Sequence, residues 1–221
     1  MPLKTNSAKY NDLLPVVSLH VPKSAGSSFH NALFSATQYG YKVISYYPDV
    51  GYSLPSDWNS PRTIIHGHFI RRLGQGVEKI CPDVNQFIAV VRDPFDICVS
   101  AYYYGLSMGF EWAKTLDIDG FLHWWLEQDE GPLLGSLPPI EESERIDEYT
   151  RKFLHIGLAS NLSEFVKEIE PTFGVRFGEL PFLNSSLSAK SCPDLRRDFR
   201  RKHWRDYELY DFVRTDGNTI R

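Results

Sequence analysis

The stretch that decides the fold reads Leu14-Pro-Val-Val-Ser-Leu-His-Val-Pro-Lys-Ser-Ala-Gly-Ser-Ser-Phe29. Its first part, residues 14–20, is apolar and of strand length, which predicts a short buried strand. A run of small residues follows, and residues 29–34 can then form a helix. A strand, a small-residue loop and a helix make the geometry of a phosphate cradle, because amide groups at a helix N-terminus converge on an anion.

The same alternation continues along the chain. Further strands are predicted at residues 43–47, 63–66, 86–91 and 153–158, with a helix at 95–106. The run Gln86-Phe-Ile-Ala-Val-Val91 is almost continuously apolar, as the central strands of parallel sheets are. Strands that alternate with helical segments indicate βαβ units. We therefore predict an α/β fold, a three-layer sandwich in which helices cover both faces of a central parallel sheet.

Two regions outside this alternation carry separate predictions. Residues 109–148 are rich in tryptophan and acidic residues, and 131–139 is a Pro/Gly loop. We interpret 109–148 as helices and a long loop inserted beside the sheet, near a substrate cleft, within a single domain spanning residues 1–221. Downstream, we predict a helix over 164–169 with Ser163 as its N-cap. One long charged helix is predicted over 193–213.

Composition limits the class of partner. The chain has 221 residues, with 24 Lys and Arg against 28 Asp and Glu, a net charge of −4. This charge gives no support for nucleic-acid binding, which depends on neutralising phosphates. No apolar run approaches the roughly 18 residues that span a bilayer, and the N-terminus lacks the features of a secretion signal. Three widely spaced cysteines without a CxxC pattern indicate reduced thiols, so we expect a cytoplasmic protein.

The small-residue loop has the chemistry of an anion site. Lys23 supplies a point charge for a phosphate oxygen, and serine hydroxyls add hydrogen-bond donors. A capped helix start with Lys23 in solvent is the alternative interpretation. Lys23 precedes Gly26, whereas a Walker A loop places its lysine after the glycines, so this is not an ATP-binding loop of that kind. The predicted anion-binding residues are Lys23, Ser24, Ala25, Gly26, Ser27 and Ser28.

These residues resemble a known family. The segment 20–29 resembles the 5′-phosphosulfate loop of sulfotransferases that use 3′-phosphoadenosine 5′-phosphosulfate (PAPS). Val90-Val-Arg-Asp-Pro-Phe-Asp-Ile-Cys-Val-Ser100 resembles their 3′-phosphate motif, in which Arg92 ends a strand and Ser100 follows eight residues later. The carbohydrate-type enzymes, heparan sulfate 2-O-sulfotransferases in particular, are the most similar in the segments around Ser100 and His66-Gly-His-Phe69. The resemblance implies a P-loop nucleotide-binding-like fold, PAPS as donor and adenosine 3′,5′-bisphosphate as product.

The resemblance also implies catalytic roles. His68 is expected to be the general base, with His66 as its orienter or substitute, and Lys23 is expected to stabilise the leaving phosphate. Without the resemblance, His66 and His68 could merely cap a strand, or hold a metal for which no third ligand is identifiable. No metal is therefore expected. Three residues lie where the family places a loop over the nucleotide: Asn184, Ser186 and Lys190.

The acceptor is expected to carry a hydroxyl, either on a carbohydrate or on a small molecule. Arg71 and Arg72 follow His68, and they either meet an anionic acceptor or form a solvated pair. Two rival functions remain at this stage. One is a nucleotide-dependent phosphotransferase of the kinase type, and the other is a non-catalytic binder of nucleotide or sulfated glycan.

Overall fold

One parallel sheet organises the protein. The computed structural model describes residues 9–178, 180 and 193–216. The sheet within them consists of β1 Val16–Leu19, β2 Lys42–Tyr46, β3 Thr63–Gly67, β4 Phe87–Val91 and β5 Phe153–Leu158. The strand order is β2-β3-β1-β4-β5, and every neighbouring pair is parallel. The predicted α/β fold with a central parallel sheet is thereby confirmed.

Helices cover both faces of the sheet. They are α1 Gly26–Phe34, α2 Val77–Ile80, α3 Pro94–Ser107, α4 Glu111–Thr115, α5 Ile118–Leu126, α6 Ile146–Thr150, α7 Leu162–Phe173, α8 Pro193–Lys202 and α9 Trp204–Asp216. Because successive strand residues point to opposite faces, Val16 packs in one core with α1 and α7, while Val17 packs in the other with α3 and α9. Among the described helices, none is both long enough and apolar enough to cross a membrane.

Two predictions about the helices are wrong. The single helix expected over 193–213 is two helices, α8 and α9, separated at His203. The separation lets α8 bury Phe199 against α3 and α5, while α9 buries Leu209 against the sheet. Ser163 is not an N-cap, because α7 begins at Leu162 and its N-terminus has no side-chain cap.

The predicted insertion contains a buried loop. Residues 109–148 hold α4, α5 and the start of α6, and residues 131–138 between them are buried. The Asp206 carboxylate of α9 holds this loop by accepting hydrogen bonds from the backbone N–H groups of Leu133 and Leu134, at 2.8 and 3.2 Å. A loop that would otherwise bury unpaired amides is thus fixed by one buried side chain.

The order of the strands determines where a ligand can bind. From β1 the chain passes to β2 and then to β3 on one side of β1, and it then crosses to β4 and β5 on the other side. The winding reverses between β1 and β4, and open α/β sheets bind ligands outside the carboxyl ends of strands at such a reversal. The small-residue loop follows β1, and Arg92 follows β4. Both predicted phosphate motifs therefore lie at this position.

Candidate functional site

The loop between β1 and α1 has an unusual backbone. Lys23 and Ala25 both take up left-handed conformations, with φ of 63° and 61°. Such a conformation costs a residue other than glycine roughly 1 kcal/mol or more, and strain of this kind concentrates at functional sites. Ala25 is also the residue from which α1 starts. Left-handed residues in such a turn can aim successive backbone N–H groups at an anion, and here the turn leads directly into the nine-residue helix α1.

Gly26 is required by a close approach. A Cβ atom at this position would lie only 1.8 Å from the His20 ring. His20 is itself fixed, because its backbone N–H donates to Gly67 at 2.9 Å and its Nδ1 lies 3.0 Å from the Tyr47 hydroxyl. The glycine therefore lets the loop fold down over the end of β3. Gly26, which is predicted to give a phosphate access to the loop, thus also allows the loop to pack against His20.

Ser24 presents an unsatisfied hydroxyl inside the loop. It is 1% exposed, and its Oγ has no hydrogen-bond partner within the described ranges. An unpaired buried polar group costs about 1–3 kcal/mol, so a partner supplied by a ligand would stabilise the loop. Ser28 is also buried, whereas Ser27 is exposed. The hydroxyls of the three predicted serines are therefore not equivalent.

Two cations meet at the loop. The Arg92 guanidinium donates to the Lys23 carbonyl at 3.1 Å, which connects the end of β4 to the loop after β1. The Lys23 ammonium lies 3.9 Å from the centre of the Tyr104 ring, and no ion pair to it is found in the described part of the chain. Burial and then the charge of Arg92 lower the pKa of Lys23. A bound anion would offset both effects.

The residue after Arg92 caps the N-terminus of α3. Asp93 is the N-cap, and its carboxylate accepts from the backbone N–H groups of Phe95 and Asp96 at 2.9 and 3.2 Å. Ser100 lies in the second turn of this helix and is 6% exposed. Tyr104 follows Ser100 by one helical turn. That spacing of four residues was the signal by which the sequence could have related Tyr104 to the site.

His66 is enclosed beneath the loop. It is fully buried in β3, and its Nδ1 lies 2.8 Å from the Ser18 hydroxyl. Its ring stacks between those of His20 and His30, at centroid distances of 5.1 and 5.2 Å. Burial, and then the neighbouring His30 and His68, hold the pKa of His66 well below 6.5. The backbone of Gly26 opposes this shift, and Nε2 of His66 has no hydrogen-bond partner among the described residues. Direct contact between His66 and an acceptor would require the loop to move.

His68 has a different environment from His66. It follows β3, is partly buried, and its backbone N–H donates to Tyr46 at 3.0 Å. Its ring lies 4.5 Å from that of His20 and 4.8 Å from that of Tyr47. Because His20 also packs against Gly26, it connects the predicted base to the predicted phosphate loop. His20, His30 and Tyr47 were not predicted as site residues, since their proximity depends on strands distant in sequence.

The remaining predicted site residues are not among those that the structure describes. Asn184, Ser186 and Lys190 fall outside the described residues. Within residues 9–178, 180 and 193–216, no three His, Cys, Asp or Glu side chains are grouped as a metal site requires. Comparison with protein-family models and with curated proteins returned no match.

The enclosed histidines predict a stability that depends on pH. Burial is the main reason that the pKa values of His20 and His66 lie well below 6.5. As pH falls below about 6.5, the unfolded chain takes up protons that the folded protein does not, so the free energy of unfolding decreases. Each such histidine contributes up to about 1.4 kcal/mol per pH unit. Denaturant unfolding between pH 5 and pH 8, roughly bracketing imidazole titration, measures the slope.

A histidine on the surface provides the control for this prediction. His66→Asn is expected to reduce the slope of unfolding free energy below pH 6.5, because one buried imidazole is removed. His123 is exposed, so His123→Asn should give the same slope of unfolding free energy against pH as the unmodified protein. A slope that does not change in His66→Asn would contradict the assignment.

Proposed function

We propose that the protein transfers a sulfuryl group from PAPS to the hydroxyl of an acceptor. The observation that carries this proposal is the loop at the end of β1, with its left-handed residues and the unpaired hydroxyl of Ser24. Arg92 at the end of the neighbouring strand β4 adds a second cation beside Lys23. Two adjacent cationic groups suit a nucleotide that carries anions at both its 5′ and 3′ positions.

The donor would be held by both motifs. The loop amides, Ser24 and Lys23 suit the 5′-phosphosulfate, since all of them offer donors to anionic oxygens. The resemblance assigns Arg92 and Ser100 to the 3′-phosphate, and their positions at the start and in the second turn of α3 are compatible with it. A guanidinium fork matches phosphate geometry better than a single ammonium does.

The reaction requires a base and a stabilised leaving group. In the proposed step, the acceptor oxygen forms a bond to sulfur while the bond from sulfur to the 5′-phosphate oxygen breaks, and its electron pair leaves with the phosphate. His68 takes the proton of the acceptor hydroxyl, and Lys23 stabilises the charge that develops on the phosphate. The rings of His20 and Tyr47 both contact the His68 ring and would restrict its orientation.

Nucleotide selectivity tests the proposal. The protein is expected to bind adenosine 3′,5′-bisphosphate about ten- to a hundredfold more tightly than 5′-AMP, because the 3′-phosphate adds charged hydrogen bonds worth about 1.5–3 kcal/mol each. Isothermal titration calorimetry measures both affinities. The exposed Lys167→Ala should not alter the ratio, whereas Arg92→Ala should bring the two affinities close together.

Other outcomes would favour the rival functions. Equal affinity for the two nucleotides would remove the basis for a sulfuryl donor. Turnover of ATP that depends on Mg²⁺ would indicate a phosphotransferase. Tight binding of the bisphosphate without any transfer across a panel of alcohols would indicate a nucleotide-binding protein.

A further inference from the structure

A small cavity adjoins all the segments of the candidate site. Its lining includes Pro22 from the loop, Ile70 two residues beyond His68, and Ala101 next to Ser100. The cavity measures about 90 Å³, the volume of about three water molecules at roughly 30 Å³ each, and it is partly open to solvent, so a compound with a single ring can enter it in part. The other side of the cavity is formed by Trp125 and by the buried loop that Asp206 anchors.

The two arginines after β3 differ in this cavity. Arg71 is neutralised: its Nε lies 2.9 Å from Glu130 Oε1, and a further bond reaches the Leu137 carbonyl at 2.9 Å. Arg72 has neither an ion pair nor a hydrogen bond within the described residues. Its guanidinium stacks 4.8 Å from the centre of the Trp125 ring. One cation on the cavity wall is therefore held in place without an anion of its own.

The carboxylates around the cavity form their ion pairs with cations other than Arg72, although the charge of Glu130 also acts favourably on Arg72. Glu130 lines the cavity, but one of its oxygens is paired with Arg71. Asp129 lines a neighbouring, more open cavity and lies 3.8 Å from Lys202. Glu130 and Asp129 are thus each paired with a cation other than Arg72. A ligand with one negative charge would neutralise the charge of the Arg72 guanidinium.

Two further polar atoms beside the cavity are unsatisfied. Trp125 Nε1 and Glu130 Oε2 are buried and have no hydrogen-bond partner in the described part of the chain. The first can only donate and the second, in the carboxylate form, only accepts. The remaining lining is mostly apolar, with Pro22, Ile70 and Ile97 among its residues. Such a lining disfavours a ring covered with hydroxyls, because most of them would lose water without gaining a partner.

We propose that this cavity binds the acceptor, and that the acceptor is a small cyclic hydroxy carboxylate. Its carboxylate would pair with the planar fork of Arg72, and its ring would lie against Ile70 and Ile97. Its hydroxyl would face the end of the cavity at Pro22, next to Lys23. As an acceptor site the cavity rests on the proposed function, whereas the binding of a hydroxy carboxylate can be measured without any nucleotide.

Calorimetric titration with three probes tests the site. The protein without nucleotide is titrated with 4-hydroxybenzoate, with phenol, which lacks the carboxylate, and with glucuronate, which has a carboxylate on a ring covered with hydroxyls. We expect 4-hydroxybenzoate to bind about ten- to a hundredfold more tightly than phenol, and more tightly than glucuronate. Equal binding of phenol and 4-hydroxybenzoate, or preferred binding of glucuronate, would overturn the proposal.

Substitutions then locate the binding. Arg72→Gln should remove the preference for 4-hydroxybenzoate over phenol, and Arg72→Lys should keep only part of it, because an ammonium lacks the fork. Arg72 is exposed, so both variants should fold. Lys114→Gln, at an exposed cation of α4, is the matched control and should keep the full preference. A preference that survives in Arg72→Gln would show that the cavity is not the site. Because adenosine 3′,5′-bisphosphate is titrated separately, a failure of the donor site would be seen independently.

Discussion

Replacing His68 with alanine is expected to lower the rate of sulfuryl transfer by about 10²- to 10⁴-fold, the usual effect of removing a general base. The affinity for adenosine 3′,5′-bisphosphate should stay nearly unchanged, because His68 belongs to neither phosphate motif. Single-turnover rates with a working acceptor, together with calorimetry of the product nucleotide, measure the two quantities. His123→Ala, at an exposed histidine of α5, is the matched control.

The pH profile distinguishes a base from a structural residue. A histidine base loses activity as it becomes protonated, so the rate of the unmodified protein should fall towards acid pH. That acid limb should disappear in His68→Ala. His66→Asn should reduce the rate less, because His66 lies beneath the loop and acts on the acceptor only through its neighbours. An acid limb that persists in His68→Ala at an undiminished rate would assign the base to another residue.

Replacing Lys23 with alanine is expected to lower the rate of transfer by about 10²- to 10³-fold, as the loss of one group that stabilises developing charge typically does. The affinity for the bisphosphate product should fall much less, since the loop amides, Ser24 and Arg92 remain to hold it. The same single-turnover and calorimetric measurements apply, with Lys167→Ala as the control at an exposed lysine. A normal rate of transfer together with a lost affinity for the bisphosphate would show that Lys23 contributes to binding and not to the transfer step.

Substitution of Tyr104 tests whether its ring positions the Lys23 ammonium for the transfer. The ring centre lies 3.9 Å from the ammonium, and a cation–π contact of this kind restricts where the ammonium lies. Tyr104→Leu should therefore lower the rate in the same direction as Lys23→Ala but by a smaller factor. Tyr104→Phe keeps the ring and should restore most of the rate. Equal rates in the leucine and phenylalanine variants would mean that the ring does not position Lys23.

The sequence by itself determined the local elements of the fold. Runs of strand length identified the five strands of the described sheet, most clearly β1, β3 and β4, because full burial in a parallel sheet leaves a continuous apolar signal in neighbouring residues. The anion-binding loop at residues 22–28 was also predicted from the sequence, since small residues between a strand and a helix are typical of such loops. Together they predicted a parallel sheet with an anion-binding loop after its first strand, whereas the second anion-binding motif, at Arg92 and Ser100, was predicted from the family resemblance. The helical limits were less well predicted, because packing against separate cores divides residues 193–213 into α8 and α9.

Only the tertiary structure decided which distant residues meet. The strand order brings the carboxyl ends of β1 and β4 together, and so joins Arg92 to Lys23 across sixty-nine positions of sequence. It also stacks His66 beneath the loop while leaving His68 at its edge, although the two are separated by a single residue. Arg71 and Arg72 look equivalent in the sequence, yet one is paired with Glu130 and the other is not. Local sequence patterns reflect burial and backbone preference. Charge pairing and ring stacking depend instead on contacts between segments that are distant in sequence and meet only in the folded protein.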